Sequence, residues 1–376
     1  MNTIKIGIDA HSIGLKQGGN ERYAEGLLKG ISEIETNGFA FTIFLNRLAD
    51  IPDFIKNIQR FHIERVSVSP LKRLVFDISF KAKYLGLDML HTQYHLPFFT
   101  RIPSVITLHD VSYLRHPEFF PVRERLKMRM FMPVSIKKAK KIITVSHFSK
   151  NEILKFHPSA KYKLTTVYYG VSENFKPLDN VNIEATLNKY GIARPYILAV
   201  SNIQPRKNLN GLLKAFVTLC QQQKDFPCRL VIAGRKLWLY NEIFSEIRRF
   251  PVADKIILTD YLKNDELSCL YNGAEMSVYI SFYEGFGLPA LEAMACGCPV
   301  IVSDNSSLPE IVGDAGMLVD PYNVNELASV IKNLFYDKTL RGKLKQKGIE
   351  QAKKFSWRKC ATETVEIYKQ VLLPVS

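Results

Sequence analysis

Residues 276–304, MSVYISFYEGFGLPALEAMACGCPVIVSD, combine two apolar runs with a glycine-rich loop and a helical pattern. The first run, MSVYIS, and the last, PVIVSD, are typical of buried strands. Between them, Gly285 and Gly287 permit a tight turn, Pro289 suits the first turn of a helix, and Gly297 suits its end. The stretch therefore predicts strand, glycine loop, helix and strand, which is the repeating unit of a parallel α/β sheet.

Two glutamates flank this loop, Glu284 before it and Glu292 one turn into the predicted helix. The start of a helix presents free backbone N–H groups and the positive end of the helix dipole, and both favour phosphate. Glu292 then lies about 6 Å along the helix axis, a distance that suits a carboxylate holding ribose hydroxyls. Taken alone, Glu284 is better explained as an ordinary turn residue, and Glu292 as an acidic residue in the first turn of a helix, where the dipole favours it. The arrangement as a whole favours a nucleotide-sugar site.

The same alternation of strands and helices continues through the chain. IKIGI, FTIFL, SVITL and KIITV predict strands in the first half, as do YILAVS, RLVIAG and KIILTD in the second. The polar stretch between Lys176 and Pro195 predicts a linker between domains. We therefore expect an α/β protein with two doubly wound, Rossmann-like domains, residues 1–176 and 195–356. In such a protein ligands bind at the carboxyl ends of the strands, so we expect the two domains to face a cleft.

The net charge of +15 is concentrated in the first half, with +12 in residues 1–176 and +3 in residues 177–376. The densest part, residues 121–141, holds eight basic residues interleaved with apolar ones. Such a segment is suited to an anionic membrane surface, and equally to an ordinary solvated helix. We expect no nucleic-acid partner, because no recognisable nucleic-acid module accompanies the charge.

The composition also predicts where the protein works. The chain has no run of eighteen apolar residues and no signal-like N-terminus, which predicts a cytoplasmic enzyme, at most peripheral at the inner face of the membrane. Its six cysteines lack paired metal-site spacing and are expected to be buried thiols.

The segment EGFGLPALE, followed by AMACGCPVIVSDNSSLPEIVGDAG, resembles the retaining nucleotide-sugar glycosyltransferases of family four, which have the two-domain GT-B fold. The resemblance implies that Glu292 binds the ribose and that Glu284 contacts the donor sugar. It also implies a donor-binding loop that contacts sugar and phosphate, comprising Gly285, Phe286, Gly287 and Leu288.

Three further segments match the pattern of that family. In QPRKN, Arg206 and Lys207 are adjacent cations, a weak signal alone, which the family places against the donor phosphates. Gly18 and Gly19 are either turn residues or, by the resemblance, a backbone approach to the diphosphate. His109 ends the strand-like ITLHD. A lone histidine is more often structural, but similar enzymes carry one beside the donor sugar, where it orients or stabilises rather than acting as a base.

By resemblance, the enzyme transfers a hexose, with mannose favoured, from a nucleotide-diphosphate sugar to a glycan or polyprenyl-diphosphate-linked acceptor in surface polysaccharide synthesis. HDVSYLRHPEFF favours GDP-mannose as the donor. We expect no cofactor and no metal site, because the chain has no D-x-D motif and Arg206 and Lys207 replace the cation.

Residues 357–376 predict a helix that, by resemblance, packs back on the first domain. The alternatives are an epimerase of the same fold and a non-catalytic nucleotide-sugar-binding protein, whereas a phosphorylase would need a far longer chain.

Overall fold

The chain forms two compact units in the computed structural model. Unit 1 comprises Met1–Gly170 and Phe355–Ser376, and unit 2 comprises Val171–Lys354. The structure describes residues 3–15, 18–48, 51–235 and 252–372. Each unit contains one sheet in which neighbouring strands are parallel, as the alternating pattern predicts.

Unit 1 is built on a seven-stranded sheet with the order β3-β2-β1-β4-β5-β6-β7. Its strands are β1 Ile4–Asp9, β2 Phe39–Asn46, β3 Phe61–Val66, β4 Met89–Gln93, β5 Ser104–Leu108, β6 Lys141–Thr144 and β7 Leu164–Thr166. Its helices up to residue 170 are α1 Gly19–Ser32, α2 Asp53–Lys56, α3 Pro70–Lys72, α4 Ile78–Tyr84, α5 Ser112–Arg115, α6 Val122–Lys138 and α7 His147–Phe156. A π-helical segment, Arg73–Asp77, joins α3 to α4.

Unit 2 is built on a six-stranded sheet with the order β10-β9-β8-β11-β12-β13. Its strands are β8 Tyr196–Val200, β9 Arg229–Ala233, β10 Ile256–Asp260, β11 Met276–Tyr279, β12 Val300–Ser303 and β13 Gly316–Val319. Its helices in the described ranges are α8 Asn180–Lys189, α9 Leu209–Gln222, α10 Asn264–Gly273, α11 Leu288–Ala295, α12 Leu308–Val312, α13 Val324–Tyr336 and α14 Lys338–Ala352. Helix α8 lies within the stretch expected as a linker and packs against α10. Its apolar side chains Ile183 and Leu187 are buried where the helix packs on unit 2.

All the strands that the sequence pattern predicts are present, whereas β3, β4, β7 and β13 were not predicted. β4, MLHTQ, carries three polar residues, yet all five of its side chains are buried. Hydrogen-bond partners on other elements satisfy two of those polar groups, His91 and Gln93. A search for runs of apolar residues in the sequence cannot detect such a strand.

The C-terminal helix, Trp357–Leu372, belongs to unit 1 and packs on α1. The two helices approach closely at Gly26 and Gly30, where an added Cβ would lie 2.1 Å from the indole and from the carbonyl oxygen of Trp357, respectively. Side chains at these two positions are therefore excluded by the helix that covers them. At the other end of this helix, the hydroxyl of Tyr368 lies 2.5 Å from Nδ1 of the buried His91 on β4.

Candidate donor-binding and catalytic site

The topology of unit 2 brings together the cations and the carboxylate that the sequence separates by 77 residues. β8 and β11 are neighbours where the strand order of the sheet reverses. Arg206 and Lys207 lie in the short 3₁₀ turn that follows β8, and Glu284 lies in the loop that follows β11. In open parallel sheets, the carboxyl ends of strands at such a reversal form a ligand-binding crevice.

Glu284 is the acceptor of a compact ion-pair cluster. Lys207 Nζ donates to Glu284 Oε1 at 2.5 Å and to the hydroxyl of Tyr279 at 2.6 Å. Arg206 Nη1 lies 3.5 Å from Glu284 Oε2 and donates to the carbonyl oxygen of Tyr283 at 2.8 Å. The three charged side chains are largely buried, so they are screened less than a surface pair.

The protonation state of this cluster follows from its charges. Burial alone would raise the pKa of Glu284, but the positive charges of Lys207 and Arg206 outweigh it and hold the pKa at about 2. Glu284 is therefore ionised at neutral pH. The cluster also places two cations, Arg206 and Lys207, side by side, and such a pair can bind an anionic ligand.

The glycine loop is fixed by hydrogen bonds from the loop after β12. Ser307 Oγ lies 3.0 Å from the carbonyl oxygen of Glu284 and 2.8 Å from that of Phe286, so one hydroxyl bridges both ends of the loop. Gly287 has φ 107° and caps the start of α11, a conformation that requires glycine. Helix α11 then begins at Leu288, four residues after Glu284, and the first N–H groups of a helix have no partner within it.

Glu292 lies one turn inside α11 and is 2% exposed. The hydroxyl of Tyr271, on α10, donates to its Oε2 at 3.5 Å. Tyr271 is itself fully buried, and its ring packs edge-on against Phe175. The helix and this tyrosine thus hold the second glutamate at a set position relative to the glycine loop.

In unit 1, His109 follows β5 and is enclosed by aromatic rings. The ring centroid of Tyr23 lies 4.9 Å from that of the imidazole, and the centroid of Tyr94 lies 5.0 Å away. The Nε2 atom lies 2.8 Å from Oε1 of Gln93, and the hydroxyl of Tyr169 bonds Nδ1. Nε2 therefore carries the proton that is donated to Gln93, and Nδ1 accepts from Tyr169.

Burial, with a smaller contribution from His91, lowers the pKa of His109 to about 3. The imidazole is consequently neutral at physiological pH and a weak base. The partners Gln93 and Tyr169 lie on other elements, so the sequence motif around His109 does not reveal them.

Gly18 and Gly19 form the start of α1 in unit 1. Gly18 has φ 80° and precedes the helix, which requires glycine, whereas a Cβ at Gly19 would meet no protein atom within 4 Å. Neither packing nor backbone geometry within the described structure explains the glycine at position 19.

The structure also reveals a charged cluster that the sequence analysis missed, at the end of β1. Asp9 Oδ1 lies 2.9 Å from His11 Nδ1, and Arg73 Nε lies 3.8 Å from Asp9 Oδ2. Burial alone would raise the pKa of Asp9, but His11 and Arg73 hold it at about 2. The spacing of Asp9 and His11, two residues apart after a strand, was the available signal, whereas Arg73 joins them only through the fold.

The remaining sequence expectations concern cysteines and the membrane. All six cysteines are buried free thiols: Cys220, Cys228, Cys269, Cys296, Cys298 and Cys360. The basic segment 121–141 forms helix α6 and the start of β6. Within the described ranges, no helix has both the length and the apolar content needed to cross a bilayer.

Comparisons with known proteins agree with this architecture. Residues 17–175 match the model of Glycosyltransferase Family 4, and residues 182–354 match that of Glycosyl transferases group 1. The crystal structure of HepE from Anabaena in complex with UDP-glucose superposes with a TM-score of 0.78, at 21% identity, over 98% of this chain and 100% of that chain. The two parallel sheets and this likeness define the GT-B class of fold.

Two curated relatives are mannosyltransferases. O-antigen chain mannosyltransferase B of Escherichia coli is 36% identical over 268 residues, which cover 71% of this chain and 70% of that protein. The serotype-specific mannosyltransferase WbdA of E. coli is 29% identical over 273 residues, which cover 70% of this chain and 32% of that protein. The chain therefore belongs to the family-four, group 1 glycosyltransferases.

Proposed function

We propose that this glycosyltransferase moves mannose from GDP-mannose to a growing, lipid-linked surface polysaccharide. The observation that carries the proposal is the Glu284 cluster after β8 and β11, in which two cations contact one carboxylate in the loop that leads into α11. Such a cluster can receive a diphosphate through its cations and a sugar through its carboxylate. Mannose is favoured by the similarity to O-antigen chain mannosyltransferase B, and a nucleotide sugar by the likeness to HepE, whose structure contains UDP-glucose.

In the proposed reaction, the bond between the anomeric carbon and the diphosphate breaks and a bond to an acceptor hydroxyl forms on the same face. The proton of that hydroxyl passes to the departing phosphate oxygen, so the anomeric configuration is retained. Negative charge grows on the diphosphate, which Arg206, Lys207 and the amides at the start of α11 stabilise. These positive groups take the place of a metal ion, and we propose that the enzyme needs none.

The other site residues have supporting roles in this proposal. Glu292 holds the ribose, and Glu284 and the loop from Gly285 to Leu288 hold the donor sugar. Gly18 and Gly19 approach the diphosphate through their backbone. His109 orients the sugar, because an imidazole with a pKa of about 3 is a poor base near neutral pH. A lipid-linked acceptor implies work at a membrane surface, and the positive charge of residues 1–176 supports peripheral attachment there.

A donor screen tests the proposal. The purified enzyme is incubated with GDP-mannose, UDP-glucose and other nucleotide sugars, each with a mannoside acceptor and with excess chelator. We expect transfer from GDP-mannose alone, undiminished by the chelator, and an α-linked product by NMR. The double variant Arg206→Ala/Lys207→Ala should bind GDP-mannose more weakly and turn over slowly, because both cations leave the phosphate site.

The same screen separates the alternatives. An epimerized nucleotide sugar without transfer would identify an epimerase, and binding without turnover would identify a binding protein. Transfer only from another nucleotide sugar would refute GDP-mannose, and a strict requirement for magnesium or manganese would refute metal independence.

A further inference from the structure

Unit 1 contains an apolar groove that the proposed chemistry does not use. The groove has a volume of about 300 Å³, at the lower end of the range for small-molecule pockets. It lies between helix α6 and the chain around α3, and its apolar walls are formed by Leu71, Leu74, Leu96, Phe98, Phe131 and Val134. Phe98 and Phe131 pack edge-to-face, with ring centroids 5.2 Å apart. The groove is therefore suited to a hydrocarbon group.

Cations lie beside these apolar walls. Lys127 and Lys138 both line the groove, and Lys138 Nζ donates to the carbonyl oxygen of Phe98 at 3.2 Å. Among the described residues, the acidic partner of these lysines is Glu124, an exposed side chain whose Oε2 lies 3.7 Å from Lys127 Nζ. An exposed pair of this kind contributes little, so both ammonium groups remain available to an anion. An apolar groove with cations at its edge matches a ligand with a hydrocarbon chain and an anionic head.

His95 also lines the groove and contributes no charge to it. Burial first, and then the positive charges of Lys127 and Arg73, lower its pKa to about 4, so the imidazole is neutral at pH 7. Its Nδ1 is buried and lacks a hydrogen-bond partner in the described structure.

Exposed aromatic side chains lie on the π-helical segment and α4, which follow the groove residues Leu71 and Leu74 in the chain. Phe76, Phe80 and Tyr84 follow one another at intervals of four residues and are 52%, 65% and 89% exposed. The rings of Phe76 and Phe80 stack with their centroids 6.3 Å apart, and they form one continuous aromatic surface. Aromatic residues so exposed are typical of surfaces that enter the interface of a bilayer.

A second apolar row lies on α6. Leu126, Met130 and Val134 are again spaced by four residues, and all three are exposed. The six basic residues of α6 surround this row, and they are Arg123, Arg125, Lys127, Arg129, Lys137 and Lys138. Apolar rows with basic neighbours favour an anionic lipid surface over a protein partner, because lysine is depleted from the cores of protein interfaces.

We propose that this groove binds the hydrocarbon chain of a phosphate-bearing membrane lipid, with Lys127 and Lys138 at the phosphate and the aromatic row Phe76, Phe80 and Tyr84 in the same bilayer. The proposal rests on the lipid-linked function proposed above, to which it adds the surface and the class of lipid. In this proposal, exposed apolar side chains supply the membrane contact together with the basic residues of α6.

Two binding measurements test the proposal, and neither needs a sugar donor, so their outcomes do not depend on which nucleotide sugar the enzyme uses. The first is sedimentation with vesicles of phosphatidylcholine, with and without phosphatidylglycerol. The second is calorimetric titration with dodecyl phosphate below its micellar concentration, compared with inorganic phosphate and with an uncharged dodecyl glycoside. We expect sedimentation with the anionic vesicles, and binding of dodecyl phosphate at least tenfold tighter than of either comparison compound.

Variants then locate the contact. Leu71→Glu/Val134→Glu places carboxylates at the exposed mouth of the groove and should weaken both kinds of binding at least tenfold. Lys127→Gln and Lys138→Gln should each weaken vesicle binding about fivefold, since each cation near an anionic surface contributes about 1 kcal/mol. Tyr162→Ser is the matched control, because Tyr162 is 87% exposed in the same unit but outside the groove.

Three results would overturn the proposal. The first is a wild-type protein that binds neither anionic vesicles nor dodecyl phosphate. The second is equal affinity for inorganic phosphate and dodecyl phosphate. The third is full binding by a Leu71→Glu/Val134→Glu protein whose circular dichroism and unfolding temperature match the wild type. If that variant fails to fold, Phe80→Ser, at a position that is 65% exposed, provides the same test on vesicles.

Discussion

Replacing Glu284 with glutamine should destabilise unit 2 in a pH-dependent manner. Glutamine has the shape of the glutamate but no charge, so Lys207 and Arg206 lose the carboxylate that they share. The pKa of Glu284 moves from its ordinary 4.5 to about 2 in the folded protein, where burial is outweighed by the two cations. The carboxylate is 6% exposed, so solvent screening takes little from this interaction.

The magnitude follows from linkage between protonation and folding. Because the folded pKa lies below the unfolded one, ionised Glu284 stabilises the fold by about 3 kcal/mol at neutral pH, at about 1.4 kcal/mol per pKa unit. This contribution is fully present above the unfolded pKa of 4.5 and is lost as the pH falls towards 2. The difference between wild type and Glu284→Gln should therefore be roughly halved by about pH 3.

Urea denaturation followed by circular dichroism at pH 7, 5, 4 and 3 measures this difference. Glu173→Gln is the control, because Glu173 is an exposed acid in the same unit, and it should change the free energy of unfolding by less than about 0.5 kcal/mol. A Glu284→Gln protein as stable as the wild type at pH 7 would refute the reasoning. So would a difference that persists unchanged from pH 7 to pH 3.

Two further changes probe unit 1. Gly19→Ala should leave the fold intact, since an added Cβ there meets no protein atom within 4 Å, but it should raise the KM for the nucleotide sugar because the methyl group obstructs the diphosphate. Gly342→Ala, at an equally open position, is the control. An unchanged KM for Gly19→Ala would contradict the proposed role of Gly19. Tyr368→Phe should lower the free energy of unfolding by about 1–3 kcal/mol, because it leaves the buried Nδ1 of His91 without its partner. Tyr336→Phe, which removes an exposed hydroxyl, is the control and should change that free energy little. Equal unfolding midpoints for the two variants would show that the His91 contact is not needed.

Strand β4 and the apolar surface of unit 1 show where sequence reasoning stopped. Polar residues in β4 hid a buried strand, because their partners lie on other segments, as far away in the chain as Tyr368. The basic residues of α6 were recognised from the sequence, but the exposed aromatic residues Phe76, Phe80 and Tyr84 were not. Exposure is a property of the packed structure, and the same phenylalanine pattern would equally fit a buried helix.

By itself the sequence determined the α/β class, nine of the thirteen strands in the described ranges, and the strand–loop–helix segment around Gly287, because these depend on local periodicity and turn chemistry. It also identified Arg206, Lys207, Glu284, Glu292 and His109 as candidates. Only the tertiary structure decided that Lys207 and Glu284 form one cluster, and that burial keeps His109 neutral while Gln93 and Tyr169 bond its two ring nitrogens. Those properties arise from strand order and burial, which join residues far apart in the chain and set their charges through neighbours that no local motif contains.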